Sequence, residues 1–280
     1  MLVRYRMNST CTLANMQTDI NNIILGNVTN VSQLSSGADQ TNSVIYGSYP
    51  TGTPYARVNG TTFTYSKAHN DATTSKTHYF RLNFDATKLT TINLAQSYTA
   101  GTDTLVNSST SPSLNIAPAT FNVAAQNGLD IIVSNKLIAF FGFGVLMSII
   151  DIGHNSTTRA NANSMLMMIS DFTNIPNWGP NGITLNASTG AIVPYTYLYA
   201  TNAYGTLTSS IGGALVPRIS GGNGITVVSE NPLFFTAQGA NNLMYGCYRL
   251  PYLTFNGTQI YKDATNAYRL TSNDISLLVD

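Results

Sequence analysis

The sequence predicts a mainly β protein: an antiparallel, hairpin-rich sandwich or jelly-roll-like barrel with one short N-terminal helix. Three observations carry this expectation. Short runs rich in aromatic and β-branched residues recur along the chain, as strands require. Asn-Gly pairs, which accept the positive φ angles of tight hairpin turns, stand at Asn59, Asn127, Asn181, Asn223 and Asn256. Only one segment, near the start, has apolar residues at the spacing of a helix face.

That helix is expected from Thr10, with Leu13, Met16, Ile20, Ile23 and Ile24 on one face, Ser9 or Thr10 as its cap and Gly26 as its stop. A stripe this narrow must pack against something, and its own β domain is the expected partner. VSQLS (31–35), behind Asn30, predicts a further short helical turn.

From about residue 41 the pattern turns to strands: SVIYGSY, THYFRLNF, KLTTINLA, LDIIVSN, KLIAFFGF, YTYLYA, GITVVSE, LFFTA and YGCYRL. FNGTQIYKDATNAYRL (255–270) reads as strand, turn, strand. VNGTTFTY (58–65) followed by HYFRLNF (78–84) repeats its outline, a match short enough to come from hairpin chemistry alone. YTAGTDTLVNSSTSPS (98–113) is polar and short-chained, which predicts a long surface loop or a boundary. SMLMMISDF (164–172) fits a buried strand or a short helix, its methionines serving as core filling. The expected organisation is a helical segment over 1–40, a β-hairpin unit over 41–110 and a main β domain over 111–280, or all three as one domain.

LIAFFGFGVLMSII (137–150) is the most apolar run. Fourteen residues interrupted by Gly142 and Gly144 fall short of the roughly 20 that span a bilayer, so core strands with a glycine kink are expected. MLVRYRMNST has two arginines but no apolar stretch behind them, which predicts no secretory signal. Cys11 and Cys247 are expected as buried free thiols, with a disulfide between them as the alternative, and the Asn-x-Ser/Thr triplets at Asn27, Asn30, Asn155, Asn186 and Asn256 as unglycosylated.

Charged residues make up 9% of the chain, against roughly 25% in ordinary globular proteins. Asn, Thr, Ser and Gln must supply the surface polarity, and such surfaces favour assembly over separation. The net charge is +1 and no cluster of Lys and Arg occurs in the sequence, so nucleic acid is not an expected partner.

The search for chemistry finds little. Glycan hydrolysis needs two carboxylates in different environments. With Glu230 the single glutamate, the candidate pairs are Asp71 with Asp85 and Asp263 with Asp274, all in turn-like contexts. Asp151 and His154 in DIGHNSTTR could share a proton or a metal, yet no third ligand lies near them, and a strand end followed by a turn accounts for the string. His69 and His78 flank a polar hairpin loop. No Gly-x-Ser-x-Gly elbow, phosphate loop or calcium loop is present; GGNGI (221–225) lacks the Lys-Ser/Thr that a phosphate loop requires. No catalytic residue, cofactor or metal is therefore assigned. The candidate contact surface is aromatic: Trp178 between Pro176 and Pro180, and Tyr195, Tyr197, Tyr199 and Tyr204, the first three at the period of one strand face.

The opening MLVRYRMNSTCTLANMQTDINNII and hairpins such as VNGTTFTY and FNGTQIYKDATNAYRL resemble the style of virion structural proteins of tailed bacteriophages, particularly those of marine and cyanobacterial hosts. The resemblance rests on no diagnostic motif and carries over no functional residue. It implies synthesis in a bacterial cytoplasm and incorporation in many copies into a capsid, neck, tail or fibre, as a homo-oligomer (a trimer is one form) beside other virion proteins. The absence of long regular repeats favours a compact knob or cement role over a fibre shaft. Two other functions stay open: a receptor-binding protein that meets host surface glycan through the aromatic residues above, and a polysaccharide-degrading enzyme.

Overall fold

The computed structural model describes residues 1–70, 75–110, 116–118, 128–135, 137–142, 145–151, 165–171, 181–185, 192–194, 219–220, 226–227, 231–237, 240–249, 258–262, 268–272 and 275–279, with side-chain surroundings defined within the first 140. The chain is mainly β and antiparallel, with one α-helix among the described residues. In order it forms β1 (Leu2–Tyr5), α1 (Leu13–Ile24), β2 (Val44–Tyr46), β3 (Tyr55–Arg57), β4 (Phe63–Asn70), β5 (Ser75–Phe84), β6 (Leu89–Thr99) and β7 (Thr104–Thr110). There follow β8 (Leu129–Val133), β9 (Leu137–Gly142), β10 (Val145–Asp151), β11 (Met165–Asp171), β12 (Asn181–Leu185) and β13 (Ile192–Pro194). The remainder are β14 (Ile219–Ser220), β15 (Thr226–Val227), β16 (Asn231–Ala237), β17 (Ala240–Arg249), β18 (Thr258–Lys262), β19 (Tyr268–Ser272) and β20 (Ile275–Val279).

These strands make an eight-stranded sheet in the order β13-β12-β11-β10-β9-β8-β1-β2, two five-stranded sheets, β3-β4-β5-β6-β7 and β16-β17-β20-β19-β18, and the pair β14-β15. One hydrophobic core joins α1 to the eight-stranded sheet, through Val3, Tyr5, Ile131 and Phe140, and to the β3–β7 sheet, through Tyr65, Phe80, Ile92 and Leu94. The Tyr65 and Phe80 rings stack 5.1 Å apart, and Tyr55 meets Phe80 edge-on at 6.0 Å. The Tyr55 hydroxyl donates to the Ser134 carbonyl at 3.0 Å, pinning the two sheets together at their margin.

The helix starts later than the spacing predicts. Asn8 Oδ1 accepts from the Thr10 amide and hydroxyl, which holds residues 8–10 in a turn and leaves Thr12 as the cap. Thr12 and Asn15 then form a reciprocal capping box, Asn15 standing where Glu or Gln is usual. At the other end Gly26 adopts φ +76°, with Gly26 N donating to Ile23 O and Asn27 N to Asn22 O, a Schellman ending. Met16, Ile20, Ile23 and Ile24 are buried as the stripe requires, and they pack within the chain's own core. Asp19 is buried on the same helix. Both of its oxygens accept from Ser35, at 2.7 Å each, which docks the 3-10 turn Val31–Gln33 expected behind Asn30.

Several strands follow the sequence pattern, and others correct it. The apolar run 137–150 supplies two antiparallel strands, β9 and β10, in which Gly142 stands opposite Val145. Met165–Asp171 is a strand, which resolves the helix-or-strand ambiguity there. Ile260 pairs with Leu270 in the hairpin expected of 255–270. LVRY at the start, which the sequence pattern does not mark as a strand, is one, paired on both sides with β2 and β8. Asn181-Gly182 is not a turn but the start of β12, paired with Ile169 and Met168. Over its described part, 98–110, the polar stretch is not a long loop: Thr104–Thr110 is β7, joined to β6 by the tight turn Ala100–Thr102. Ser and Thr suffice there because a strand needs its backbone paired and only one face packed.

Gly26 and Gly52 both have positive φ, but a Cβ on Gly26 would sit 2.7 Å from the Tyr49 ring, whereas Gly52 faces open space. Gly52→Ala is expected to cost only the left-handed penalty of about 1–2 kcal/mol. Gly26→Ala should cost more, because the ring must shift and its hydroxyl bond to Ile24 O (2.7 Å) must stretch. Urea unfolding of the two variants against wild type reads the difference, and equal losses would mean that the Tyr49 contact is not confining.

Candidate functional site

Three polar clusters lie within the described side chains. The first gathers Tyr5, Cys11 and Asp19. Cys11 carries a free thiol whose Sγ is 3.7 Å from the Tyr5 hydroxyl. Burial raises the pKa of Cys11, and burial with the nearby Asp19 carboxylate raises that of Tyr5. A thiol held protonated is a poor nucleophile.

The second cluster lies between β1 and β8. Asp130 stands opposite Arg4 in register, and Arg6 approaches from just beyond the end of β1 at Tyr5. Arg6 Nη1 is 2.9 Å from Asp130 Oδ1, and Arg4 Nε is 3.6 Å from Oδ2. Arg6 and Asp130 are both buried. Gly128 is required beside them, because any Cβ there would collide with the Arg6 guanidinium.

The third cluster has the most elaborate geometry, and it holds the tip of the β6–β7 hairpin. Arg81 pairs with Asn93 across β5 and β6, six residues before the end of β6 at Thr99. Straight strands would put Arg81 and the tip about 20 Å apart. The Arg81 guanidinium nevertheless reaches the Asp103 carboxylate at 2.7 Å and its carbonyl at 3.0 Å. The β5–β6 ladder ends at Tyr79 and Ala95, beyond which β6 pairs with β7 alone, and this freed end curves back over the sheet. Asp103, in the left-handed region at φ +50°, also accepts from the Tyr98 hydroxyl (2.8 Å) and from Thr62 (3.2 Å). Arg81 Nε donates to Thr64 at 2.6 Å and Asn59 Nδ2 to the Tyr98 hydroxyl at 3.1 Å, so β3–β4 turn, β4, β5 and the tip are tied into one network.

Elsewhere the short polar side chains shape turns. Asn59 Oδ1 accepts from Thr61 and Thr62 at the predicted Asn-Gly turn, and Arg57 bridges the carbonyls of Asn59, Gly60 and Thr62 while lying 4.5 Å over the Phe63 ring. Asp85 accepts from the Thr87 and Lys88 amides, and Asp39 from Thr41 and Asn42. Those bonds hold both carboxyls below the usual range, Asp85 chiefly through the Thr87 amide and Asp39 through the Asn42 side chain.

Of the candidates raised by the sequence, Asp85 is thus a turn former, and Asp151 ends β10 opposite Met165. His69 and His78 lie within β4 and β5, paired with Lys76 and Lys67, so the loop between them is shorter than expected. Trp178, Tyr195, Tyr197, Tyr199, Tyr204, His154, Asp71, Asp263 and Asp274 lie outside the described residues. No three His, Cys, Asp or Glu side chains come together among the described residues, and no described helix is long and apolar enough to cross a membrane. Asp103 and Arg81 escaped notice because their meeting depends on the curl of β6. The one available signal was Asp103 itself, a residue that tolerates left-handed backbone, directly after Ala100-Gly101-Thr102. Comparison with known proteins gives no match, neither to a protein-family model nor to a curated protein or solved structure.

Burial alone would raise the pKa of Asp103, but the Tyr98 hydrogen bond, the Arg81 charge and the Thr62 hydroxyl outweigh it and lower it. A carboxyl whose folded pKa lies below the unfolded value of roughly 3.9 stabilises fully above that pH, and loses the contribution as pH falls through the folded value. Asp103→Asn keeps the left-handed backbone accessible but removes the charge. The variant should be less stable than wild type at pH 7, and the gap should close toward pH 3. Urea midpoints at both pH values test this; a gap that stays constant would deny Asp103 its ionic role.

Proposed function

We propose that the chain is a non-enzymatic structural component of a tailed-bacteriophage particle, a homo-oligomer that decorates or joins parts of the virion. The observation that carries the reading is where the charges go. Asp19, Asp39, Asp85, Asp103 and Asp130, the aspartates whose side-chain bonds are described, each hold a turn, a helix contact or a neighbouring strand. Arg6, Arg57 and Arg81 likewise bind inward, to Asp130, a turn and a hairpin tip. A carboxylate so engaged is a poor general acid or base, and a surface left to Asn, Ser and Thr is suited to close, uncharged contacts between subunits. The low charged fraction of 9% and the hairpin-rich, phage-like style of the sequence support the same conclusion.

The test is native mass by light scattering after size exclusion over a concentration series, with host polysaccharide assayed for reducing ends in parallel. A closed oligomer that releases none is expected. A strict monomer would contradict the assembly reading. Release of reducing ends that Asp151→Asn or Asp263→Asn abolishes would replace it with an enzyme.

A further inference from the structure

An edge strand presents a row of unpaired N–H and C=O groups to any strand of matching register, and proteins that stay apart blunt such edges with shortness, charge, proline or bulges. Among the described residues the sheet edges here are unequal. β2, β3 and β13 have three residues each, with Arg57 on β3 and Pro194 on β13. β16 carries Pro232 and a register shift beside it, and β18 ends on Lys262. β14 and β15 have two residues each.

β7 differs from all of these. It is the outer strand of its sheet, seven residues long, and its sequence TLVNSST holds no charge and no proline. Thr104 and Ser108 are exposed. Its first residue follows Asp103, so the Arg81, Tyr98 and Thr62 network fixes the strand before any partner arrives. Order already present in the free chain is not lost on binding.

We propose that β7 is the surface through which a second copy of this chain adds, by antiparallel strand pairing across a two-fold axis. This deepens the assembly reading above and rests on it. A two-fold contact brings every charge on the strand close to its own copy, so an uncharged strand is the one that can pair with itself without repulsion. Centred on Asn107, the pairing sets Asn107 opposite Asn107 of the second copy, Val106 opposite Ser108, Leu105 opposite Ser109 and Thr104 opposite Thr110. All of these pairs are neutral.

Two charge variants, Ser108→Lys and Ser108→Glu, test the contact, with circular dichroism to confirm folding. A third, Asn107→Cys in a Cys11→Ser, Cys247→Ser background, tests the register by oxidation on a non-reducing gel. The expected result is that wild type associates in even-numbered multiples, that either charge lowers the associated mass at least to its half, and that the cysteine variant cross-links to a dimer. If wild type associates but both charge variants do so equally and no cross-link forms, the β7 contact is overturned while the assembly reading stands. A wild type that is monomeric at every concentration overturns both.

Discussion

Asp130 is a carboxylate with almost no access to water, and in that position a charge is tolerable only when paired. Two of its partners are Arg4, on β1, and Arg6, just beyond the end of that strand. This couples the start of the chain to β8, whose residues all lie buried. With β1 seated between β8 and β2, Val3 and Tyr5 line the core against which α1 lays Met16, Ile20 and Ile23. Removing one partner of such a pair typically costs about 3–5 kcal/mol, because the other is left buried and alone. The register of β1, and with it the strand against which the helix is seated, fits this electrostatic requirement.

Charge is used within the chain in the same way at Arg57 and Arg81. Arg57 holds the β3–β4 turn and Arg81 holds the curled end of β6–β7. Turns that many proteins leave to glycine and water are closed here by short amides, hydroxyls and carboxylates: Asn8, Asn30, Asp39, Asn59 and Asp85 each accept from a residue two positions ahead. A chain poor in charge can therefore have well-determined hairpins and still present a nearly neutral exterior. The proposed role in a multi-copy particle builds on that combination.

The legible parts of the fold were those written in local periodicity. The spacing of Met16, Ile20, Ile23 and Ile24 marked the helix, and alternation in THYFRLNF and TQIYK marked strands. What escaped were features decided by partners distant in sequence. LVRY is too short to identify by pattern, and becomes a strand because Leu129–Val133, more than a hundred residues away, offers it a ladder and an aspartate. TLVNSST reads as loop by composition and is a strand because β6 pairs with it through a three-residue turn. Asn181-Gly182 has the chemistry of a turn, but pairing with Met168 and Ile169 overrides it. The latch at Asp103 was hidden for the same reason, since its arginine is 22 residues away and on another strand.

The charged side chains Asp19, Asp39, Asp85, Asp103, Asp130, Arg6, Arg57 and Arg81 bond within the chain, and the contacts proposed between copies are therefore neutral and hydrogen-bonding. Association that rests on such contacts is indifferent to screening, whereas association between exposed charges weakens steeply as the Debye length falls from about 14 Å to about 4 Å between roughly 50 and 500 mM salt. Sedimentation equilibrium across that range measures it most directly. The account predicts one oligomeric mass and an association constant that changes less than about threefold. Dissociation to monomer at high salt would contradict it, by placing the binding between charged groups.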